Sequence, residues 1–341
     1  MTPRAGVGGG GVAAASAPVR TSSPAPGPTR GELVAELAGL VGARHEARFI
    51  VDEALELGLA LGHASAPLSG PLDPSVVSAA RAMASRRAAG EPLQYVFGHW
   101  PFRRLDLIVD PRVLIPRPET EQVVEVALAE ARLVWEAGAG SAGVRGGLVI
   151  ADAGTGTGAI ALSLATELGS RVVAEVWATD SSADALEVAV SNLEAVRGAS
   201  RAPAASAAAA AAPLPPVTLV NGSWLDPLPA HLRGGVDLVV SNPPYVSESE
   251  WEDLPDEGRL EPRAALVAGA ASDGTAGLAG VEEVLRQARA WLRRPGVVVI
   301  EIASNQAEAA TALASGFGYA ETRVEQDLAG RPRALVARNR D

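Results

Sequence analysis

The 341-residue sequence contains no cysteine and no lysine. The absence of cysteine excludes disulfides and thiolate metal sites, and no metal site is expected. All 29 basic residues are arginine, and 40 acidic residues outnumber them, giving a formal net charge of −11. This balance disfavours non-specific adhesion to nucleic acid, whose affinity comes mainly from phosphate neutralisation. No direct nucleic-acid partner is therefore expected.

Long apolar runs and N-terminal acidic residues are also missing. No run is long enough to span a membrane, so no membrane association is expected. Residues 1–29 are mostly Gly, Ala, Pro, Ser and Thr, a composition that predicts a disordered tail. A transit peptide would share the acid-poor composition, but Gly8–Gly11 and five prolines oppose the amphipathic helix that it needs. A cytoplasmic location is expected, with a mitochondrial one as the alternative.

The remaining chain is predicted to fold as two domains joined by a short linker. Apolar residues three and four apart in residues 30–90 predict a small helical domain, with helices at 32–37, 45–57 and 73–87. Residues 91–118 are expected to form a hairpin linker whose turn lies at Asp110–Arg112. Strands and helices alternate through residues 119–341, which predicts a doubly wound α/β domain. Within it, the Ala/Pro-rich residues 198–216 predict an inserted surface loop.

A glycine-rich turn follows the first predicted strand of the larger domain. Its residues are Gly154-Thr155-Gly156-Thr157-Gly158, and small residues let a ligand lie against the backbone. The next strand ends at Asp180, about twenty residues further on, where a carboxylate can accept both hydroxyls of a ribose. Capping of the following helix is the alternative role for Asp180. Trp224 is either a core residue or a wall for a purine.

The strand Val236–Ser241 is followed by Asn242-Pro243-Pro244-Tyr245. The strand must end there because neither proline can donate to a ladder, and the carboxyl edge of an open α/β sheet is where ligands bind. The Asn242 amide, backbone carbonyls and the Tyr245 ring can together hold a planar NH2 group. A carboxamide side chain and the exocyclic amine of a base both present such a group. The alternative is a proline-rich turn with a capping asparagine.

These motifs resemble those of the class I S-adenosylmethionine methyltransferases, and within them the release factor glutamine methyltransferase family (PrmC/HemK). The resemblance also includes Ile115-Pro116-Arg117-Pro118-Glu119-Thr120-Glu121, Asp152-Ala153 before the glycine turn, and Glu261-Pro262-Arg263-Ala264-Ala265-Leu266. It implies a Rossmann-like, seven-stranded methyltransferase sheet with a small N-terminal helical domain. Two departures from the family's pattern are Ser223, where Asp often precedes Trp, and a longer Gly269–Gly277 segment.

The resemblance implies an enzyme that methylates the side-chain amide nitrogen of the glutamine in the Gly-Gly-Gln motif of peptide chain release factors. S-adenosyl-L-methionine is the implied methyl donor, and the helical domain is expected to dock the release factor. The implied cofactor-binding residues are Asp152, Gly154, Thr155, Gly156, Thr157, Gly158, Asp180, Trp224 and Asn242. The implied substrate-binding residues are Asn242, Pro243, Pro244 and Tyr245, of which Asn242, Pro243 and Tyr245 are expected to be catalytic.

Two other functions are open at this point. Asn-Pro-Pro-Tyr also occurs in adenine-N6 methyltransferases acting on DNA or RNA, but such an enzyme would need a basic face and a target-recognition segment. A non-catalytic release-factor-binding module is the other alternative. The intact Asn-Pro-Pro-Tyr and glycine motifs argue against it.

Overall fold

The computed structural model describes residues 27–61, 70–139, 146–201 and 213–339. The chain divides into two compact units, Met1–Ala82 and Met83–Asp341. The predicted tail at residues 1–29 lies outside the described residues except at its end. Within the described ranges, no helix is long and apolar enough to cross a membrane.

The first unit is helical. It contains α1 (Arg30–Val41), α2 (Arg44–Ala60) and the beginning of α3 (Pro74–Ala88). Helix α1 begins at a capping box, in which Thr29 accepts a hydrogen bond from the Glu32 amide and donates its own backbone N–H to the Glu32 carboxylate. Apolar side chains spaced three and four apart form the core, among them Leu33, Leu37, Ile50, Val51, Val76 and Ala80. The three predicted helices are confirmed, and the units divide inside α3 instead of at Gly90.

The second unit begins with a hairpin whose position differs from the prediction. Helix α4 (Leu93–Phe97) leads into β1 (His99–Phe102), which pairs antiparallel with β2 (Leu105–Ile108). The turn therefore lies at residues 103–104, where Arg103 adopts a left-handed backbone with φ of 53°. The predicted turn at Asp110–Arg112 is not a hairpin turn.

The segment after this hairpin is not a strand because side chains take up its backbone groups. The Tyr95 hydroxyl donates to the Val113 carbonyl at 2.6 Å. The Ile115 amide donates to the Glu261 carboxylate at 3.0 Å. These long-range bonds replace the ladder that the β-prone residues 113–115 predicted.

The larger sheet has seven strands. They are β3 (Leu148–Ala153), β4 (Val173–Asp180), β5 (Val217–Asn221), β6 (Val236–Ser241), β7 (Leu292–Glu301), β8 (Glu321–Gln326) and β9 (Pro332–Asn339). Their order is β5-β4-β3-β6-β7-β9-β8, in which β9 runs antiparallel to β7 and β8 and the other neighbouring strands are paired parallel. The predicted doubly wound, seven-stranded sheet and its closing antiparallel pair are confirmed.

Helices alternate with these strands. They are α5 (Pro118–Ala139), α6 (Ala159–Leu168), α7 (Ala183–Arg201), α8 (Glu248–Glu252), α9 (Arg263–Leu266), α10 (Ala279–Trp291) and α11 (Ala307–Gly316). The predicted loop at 198–216 is wrong at its start, since residues 198–201 continue α7, and extending an existing helix costs less than starting one. Residues 202–212 lie outside the described residues, and 213–216 lead into β5.

Alternate residues of the central strands pack into two cores on opposite faces of the sheet. In β6, Leu238 and Val240 join the core that contains α5 and α6, whereas Val239 between them joins the core that contains α10 and α11. Strand β3 pairs with β4 on one side and β6 on the other. The chain therefore leaves these central strands in opposite directions, which opens a crevice at their carboxyl ends.

Glu130 joins α5 to the antiparallel edge of the sheet. Its fully buried carboxylate forms ion pairs with Arg323 of β8 and Arg338 of β9. We expect Glu130→Ala to lower the free energy of unfolding by about 2 kcal/mol. Breaking a fully buried ion pair costs more, but here both arginines still reach water and are not left as unpaired buried charges. Urea denaturation would measure this loss against Glu136→Ala, which removes an exposed carboxylate from the same helix. Equal stabilities of the two variants would contradict the expectation.

Candidate active site

A cavity of about 260 Å³ lies at the carboxyl ends of the central strands, within the second unit. Its wall is built from at least six stretches of chain and includes most of the predicted site residues. The lining residues from these stretches include Arg112–Leu114 with Pro116, Arg117 and Thr120; Gly154–Thr157; Asp180–Ser182; Ser223 and Trp224; and Asn242 with Pro244. A sixth side is closed by Pro262, Ala264 and Ala265.

The glycine turn crosses the end of β3. Gly154 and Thr155 both donate their backbone N–H groups to the Thr179 carbonyl, at 2.9 and 2.8 Å, so the turn is fixed to the end of β4. Gly158 does not line the cavity. It has φ of +84° and begins α6, and a β-carbon there would lie 3.1 Å from Leu162. Gly158 was predicted to bind the cofactor. In the structure it lies behind the turn, where the lack of a side chain lets the chain pack closely against α6.

Asp152 lies beneath this turn and not on the cavity wall. Its Oδ2 accepts hydrogen bonds from the Thr155 hydroxyl at 2.6 Å and the Ala161 amide at 3.1 Å. Its Oδ1 has no partner among the described residues, and burial raises the pKa of this carboxyl to about 7. Asp152 therefore supports the turn from inside the protein.

Asp180 lies on the wall, at the end of β4. Its two carboxylate oxygens accept hydrogen bonds from the backbone amides of Gly156 and Ser182, both at 2.8 Å. Burial nevertheless raises its pKa. Ser182, whose hydroxyl accepts from the Ala185 amide at 3.1 Å, takes the capping role for α7. A carboxylate has about four acceptor sites, so Asp180 keeps acceptor capacity for a ligand.

Trp224 lies on the wall in a left-handed backbone conformation with φ of 48°. The Thr179 hydroxyl donates to its carbonyl at 2.6 Å and fixes this turn. The indole packs between Gly154 and Gly280, where added β-carbons would each lie 3.4 Å from its ring. A β-carbon on Gly280 would also lie 2.9 Å from Pro243, so glycine is required for this contact.

The Asn-Pro-Pro-Tyr segment turns away at the end of β6. Asn242 and Pro244 line the cavity, whereas Pro243 is buried against α10 and does not. Tyr245 is partly buried and also lies off the wall, and burial raises its pKa to about 12. Gln306 donates weakly to the Tyr245 carbonyl, at 3.4 Å, and holds the end of the segment.

Behind Asn242 is a chain of hydrogen bonds that the sequence did not reveal. The Asn242 amide nitrogen donates to the Thr120 hydroxyl at 3.2 Å, and that hydroxyl donates to Glu301 Oε2 at 2.7 Å. Glu301 is fully buried at the end of β7, and burial raises its pKa to about 7. A carboxylate within the apolar run of residues 297–302 was the signal that could have identified it.

Two segments of the wall are joined by an ion pair. Glu261 is buried, pairs with Arg117 and accepts the hydrogen bond from the Ile115 amide. Arg117 also lines the cavity. In the parts of the chain that the structure describes, no group of three acidic or histidine side chains could hold a metal ion.

Several known proteins are similar to this chain. The PrmC N-terminal domain family matches residues 32–98. A release factor glutamine methyltransferase from Moorella thermoacetica is 40% identical over 258 residues, covering 75% of this chain and 78% of that protein. One from Bordetella pertussis is 37% identical over 287 residues, covering 84% of this chain and 92% of that protein.

Similarity to solved structures is weaker. The protein-(glutamine-N5) methyltransferase (release factor-specific) from Alicyclobacillus acidocaldarius is 22% identical. The match covers 68% of this chain and 99% of that chain, with a TM-score of 0.35.

The buried Glu301 predicts a specific dependence of stability on pH. Its folded pKa of about 7 exceeds the usual 4.5, so its contribution to stability is present below pH 4.5 and is lost as the pH rises through 7. The total loss is about 3 kcal/mol. We expect Glu301→Gln to become more stable relative to the parent between pH 5 and 8, because glutamine carries no charge there.

Chemical denaturation at several pH values would measure this difference. Asp152 titrates in the same range but is present in both proteins, so its contribution cancels. Glu308→Gln, at an exposed position in α11, is the control. A difference that stays constant from pH 5 to 8 would contradict the assignment.

Proposed function

This chain belongs to the release factor glutamine methyltransferase family, and we propose that it methylates the side-chain amide nitrogen of a glutamine in a peptide chain release factor. The observation that carries the proposal is the position of Asn242. Its amide lies at the end of central strand β6, on the wall of the same cavity as Asp180 and Trp224. One cavity can therefore hold a methyl donor and a planar NH2 group side by side.

The wall fits S-adenosylmethionine, which when bound supplies an electrophilic methyl group. The Asp180 carboxylate is suited to a ribose diol, and the Trp224 indole offers a flat surface for adenine. The small residues of the glycine turn, with the N-terminus of α6 behind them, allow the methionine portion close to the backbone. In this proposal Asp152 and Gly158 act indirectly, by holding the turn.

The protein must make a poor nucleophile react, since the lone pair of an amide nitrogen is delocalised into its carbonyl. The side-chain oxygen of Asn242, which lies on the cavity wall, would accept a hydrogen bond from the glutamine NH2 and orient it. This acceptor also stabilises the positive charge that the nitrogen gains as it takes up a methyl group. The nitrogen then loses a proton to solvent. Orientation of the amide beside the methyl donor supplies much of the catalysis.

The glutamine is that of the Gly-Gly-Gln motif, and the N-terminal helical unit is proposed to dock the release factor. The match to the PrmC N-terminal domain supports this assignment of the helical unit. The similar proteins come from bacteria, which supports a reaction in the cytoplasm.

Transfer of a labelled methyl group from S-adenosylmethionine tests the proposal. The acceptors are a release factor, the same factor with its Gly-Gly-Gln glutamine changed to alanine, and double-stranded DNA. We expect label in the first alone. Label in DNA, or equal label in both release factors, would contradict the proposal.

Asp180→Ala should weaken binding of S-adenosylmethionine by about 1 to 3 kcal/mol, because charge-assisted hydrogen bonds to the ribose are lost. Isothermal titration calorimetry would measure the affinity. Asp184→Ala, which removes an exposed carboxylate from the first turn of α7, is the matched control. Unchanged affinity in the Asp180 variant would remove this residue from the cofactor site.

Asn242→Ala should lower kcat by roughly 100 to 1,000-fold while S-adenosylmethionine affinity changes little, because the lost acceptor matters most when the substrate nitrogen becomes positive. Asn242→Asp should also be slow but should still bind the cofactor. Steady-state kinetics with release factor would show the loss, and Asn305→Ala at an exposed site is the control. If Asn242→Ala methylates the release factor at the parental rate, the Asn-Pro-Pro-Tyr segment is only a turn and has no role in catalysis.

A further inference from the structure

The orientation of the Asn242 side chain decides what it offers to a substrate. An asparagine amide has a carbonyl oxygen at one end and an NH2 group at the other. Only the oxygen can accept a hydrogen bond from the NH2 group of a substrate amide. The NH2 end would face that group donor to donor. The proposed reaction therefore requires one of the two orientations of the amide.

Thr120 selects between these orientations because a hydroxyl has a single hydrogen to donate. That hydrogen goes to Glu301 Oε2 at 2.7 Å, so the Thr120 oxygen is left as an acceptor toward Asn242. The Asn242 NH2 group fills this position at 3.2 Å. A reversed amide would place its oxygen against the lone pairs of Thr120, which has no hydrogen left to give.

Glu301 keeps the Thr120 hydroxyl in this direction. Its side chain is fully buried at the end of β7, next to β6 in the sheet, so it cannot turn into solvent. The charged and titratable groups that act on it are Arg333 of β9, Glu119 of α5 and Tyr245. Burial raises the pKa of Glu301 to about 7, while the Thr120 hydroxyl and Arg333 oppose that rise, so above pH 7 the group is a carboxylate that can only accept a hydrogen bond.

We infer that Thr120 and Glu301 are positioning residues for methyl transfer, because together they fix Asn242 with its carbonyl oxygen available to the substrate NH2 group. The inference rests on the proposed function and adds two residues to it. The three side chains come from α5, the end of β6 and the end of β7, and they meet only at the carboxyl edge of the sheet.

Three variants test the relay, by which we mean the hydrogen bonds from Asn242 to Thr120 and from Thr120 to Glu301. Thr120→Val keeps the shape of the side chain but can neither accept nor donate, so we expect kcat for release factor methylation to fall at least tenfold. Thr120→Ser keeps the hydroxyl and should stay within about threefold of the parent. Glu301→Gln keeps the Thr120 hydroxyl but can donate to it and release its hydrogen toward Asn242, so kcat should fall as in Thr120→Val.

The affinity for S-adenosylmethionine, measured by calorimetry, should stay within about twofold of the parent in all three variants. Thr311→Val removes a hydroxyl that donates to the Ala307 carbonyl in α11, and it is the control for loss of a threonine hydroxyl elsewhere. A kcat in Thr120→Val equal to that of Thr120→Ser would overturn the inference. A loss confined to S-adenosylmethionine affinity would also overturn it, because Thr120 would then contact the cofactor.

A spectroscopic measurement keeps this inference separate from the proposed function. The side-chain amide of Asn242 gives a pair of signals in a nitrogen-15 correlation spectrum of the full chain, identified by their loss in Asn242→Asp. These signals should shift, and exchange faster with water, in Thr120→Val and Glu301→Gln but not in Thr120→Ser. If the parent does not methylate release factor, the proposed function fails while this pattern still tests the relay. Unshifted signals in both variants would overturn the relay even in an active enzyme.

Discussion

The site depends on the junction between the carboxyl ends of β3 and β6. The Ser241 hydroxyl donates to the Ala153 carbonyl at 2.6 Å and holds the last residues of the two strands together. Beyond this point the chain diverges, because β3 enters a glycine turn and β6 meets two prolines that cannot extend the ladder. The residues proposed to hold the methyl donor and those proposed to hold the acceptor are therefore neighbours in space although they are far apart in sequence.

Buried polar groups on the inner side of the wall keep this arrangement in place. Asp152 supports the glycine turn through Thr155, and Glu301 supports Asn242 through Thr120. Burial raises the pKa of both carboxyls to about 7, so each destabilises the folded protein when it is ionised. Such a cost is typical of sites where orientation of a polar group matters more than stability. Glycine at position 280 serves the same arrangement by leaving room for Pro243 and Trp224.

The sequence was sufficient for the features that depend on local patterns. The alternation of strands and helices, the end of β6 at the prolines and the positions of Asp180 and Trp224 at strand ends all follow from hydrophobic periodicity and backbone chemistry. The predicted position of the hairpin was wrong because Tyr95 and Glu261 bind the backbone of residues 113–115. Bonds between distant residues leave no local pattern in the sequence. The link from Thr120 to Glu301 spans 181 positions and was missed for the same reason. Pro243 and Tyr245 were expected at the site by resemblance, but neither lines the cavity, and the packing of Pro243 against Gly280 of α10 leaves no local pattern in the sequence.

In the proposed reaction, Asn242 presents its side-chain oxygen to a substrate amide in the cavity that would also hold the methyl donor. A crystal structure of the protein with S-adenosylhomocysteine and a peptide containing Gly-Gly-Gln would show this contact. We expect a hydrogen bond from the glutamine NH2 group to the Asn242 side-chain oxygen, with the Asn242 nitrogen still donating to Thr120. A glutamine bound away from Asn242, or an Asn242 amide that turns its nitrogen toward the substrate, would contradict it.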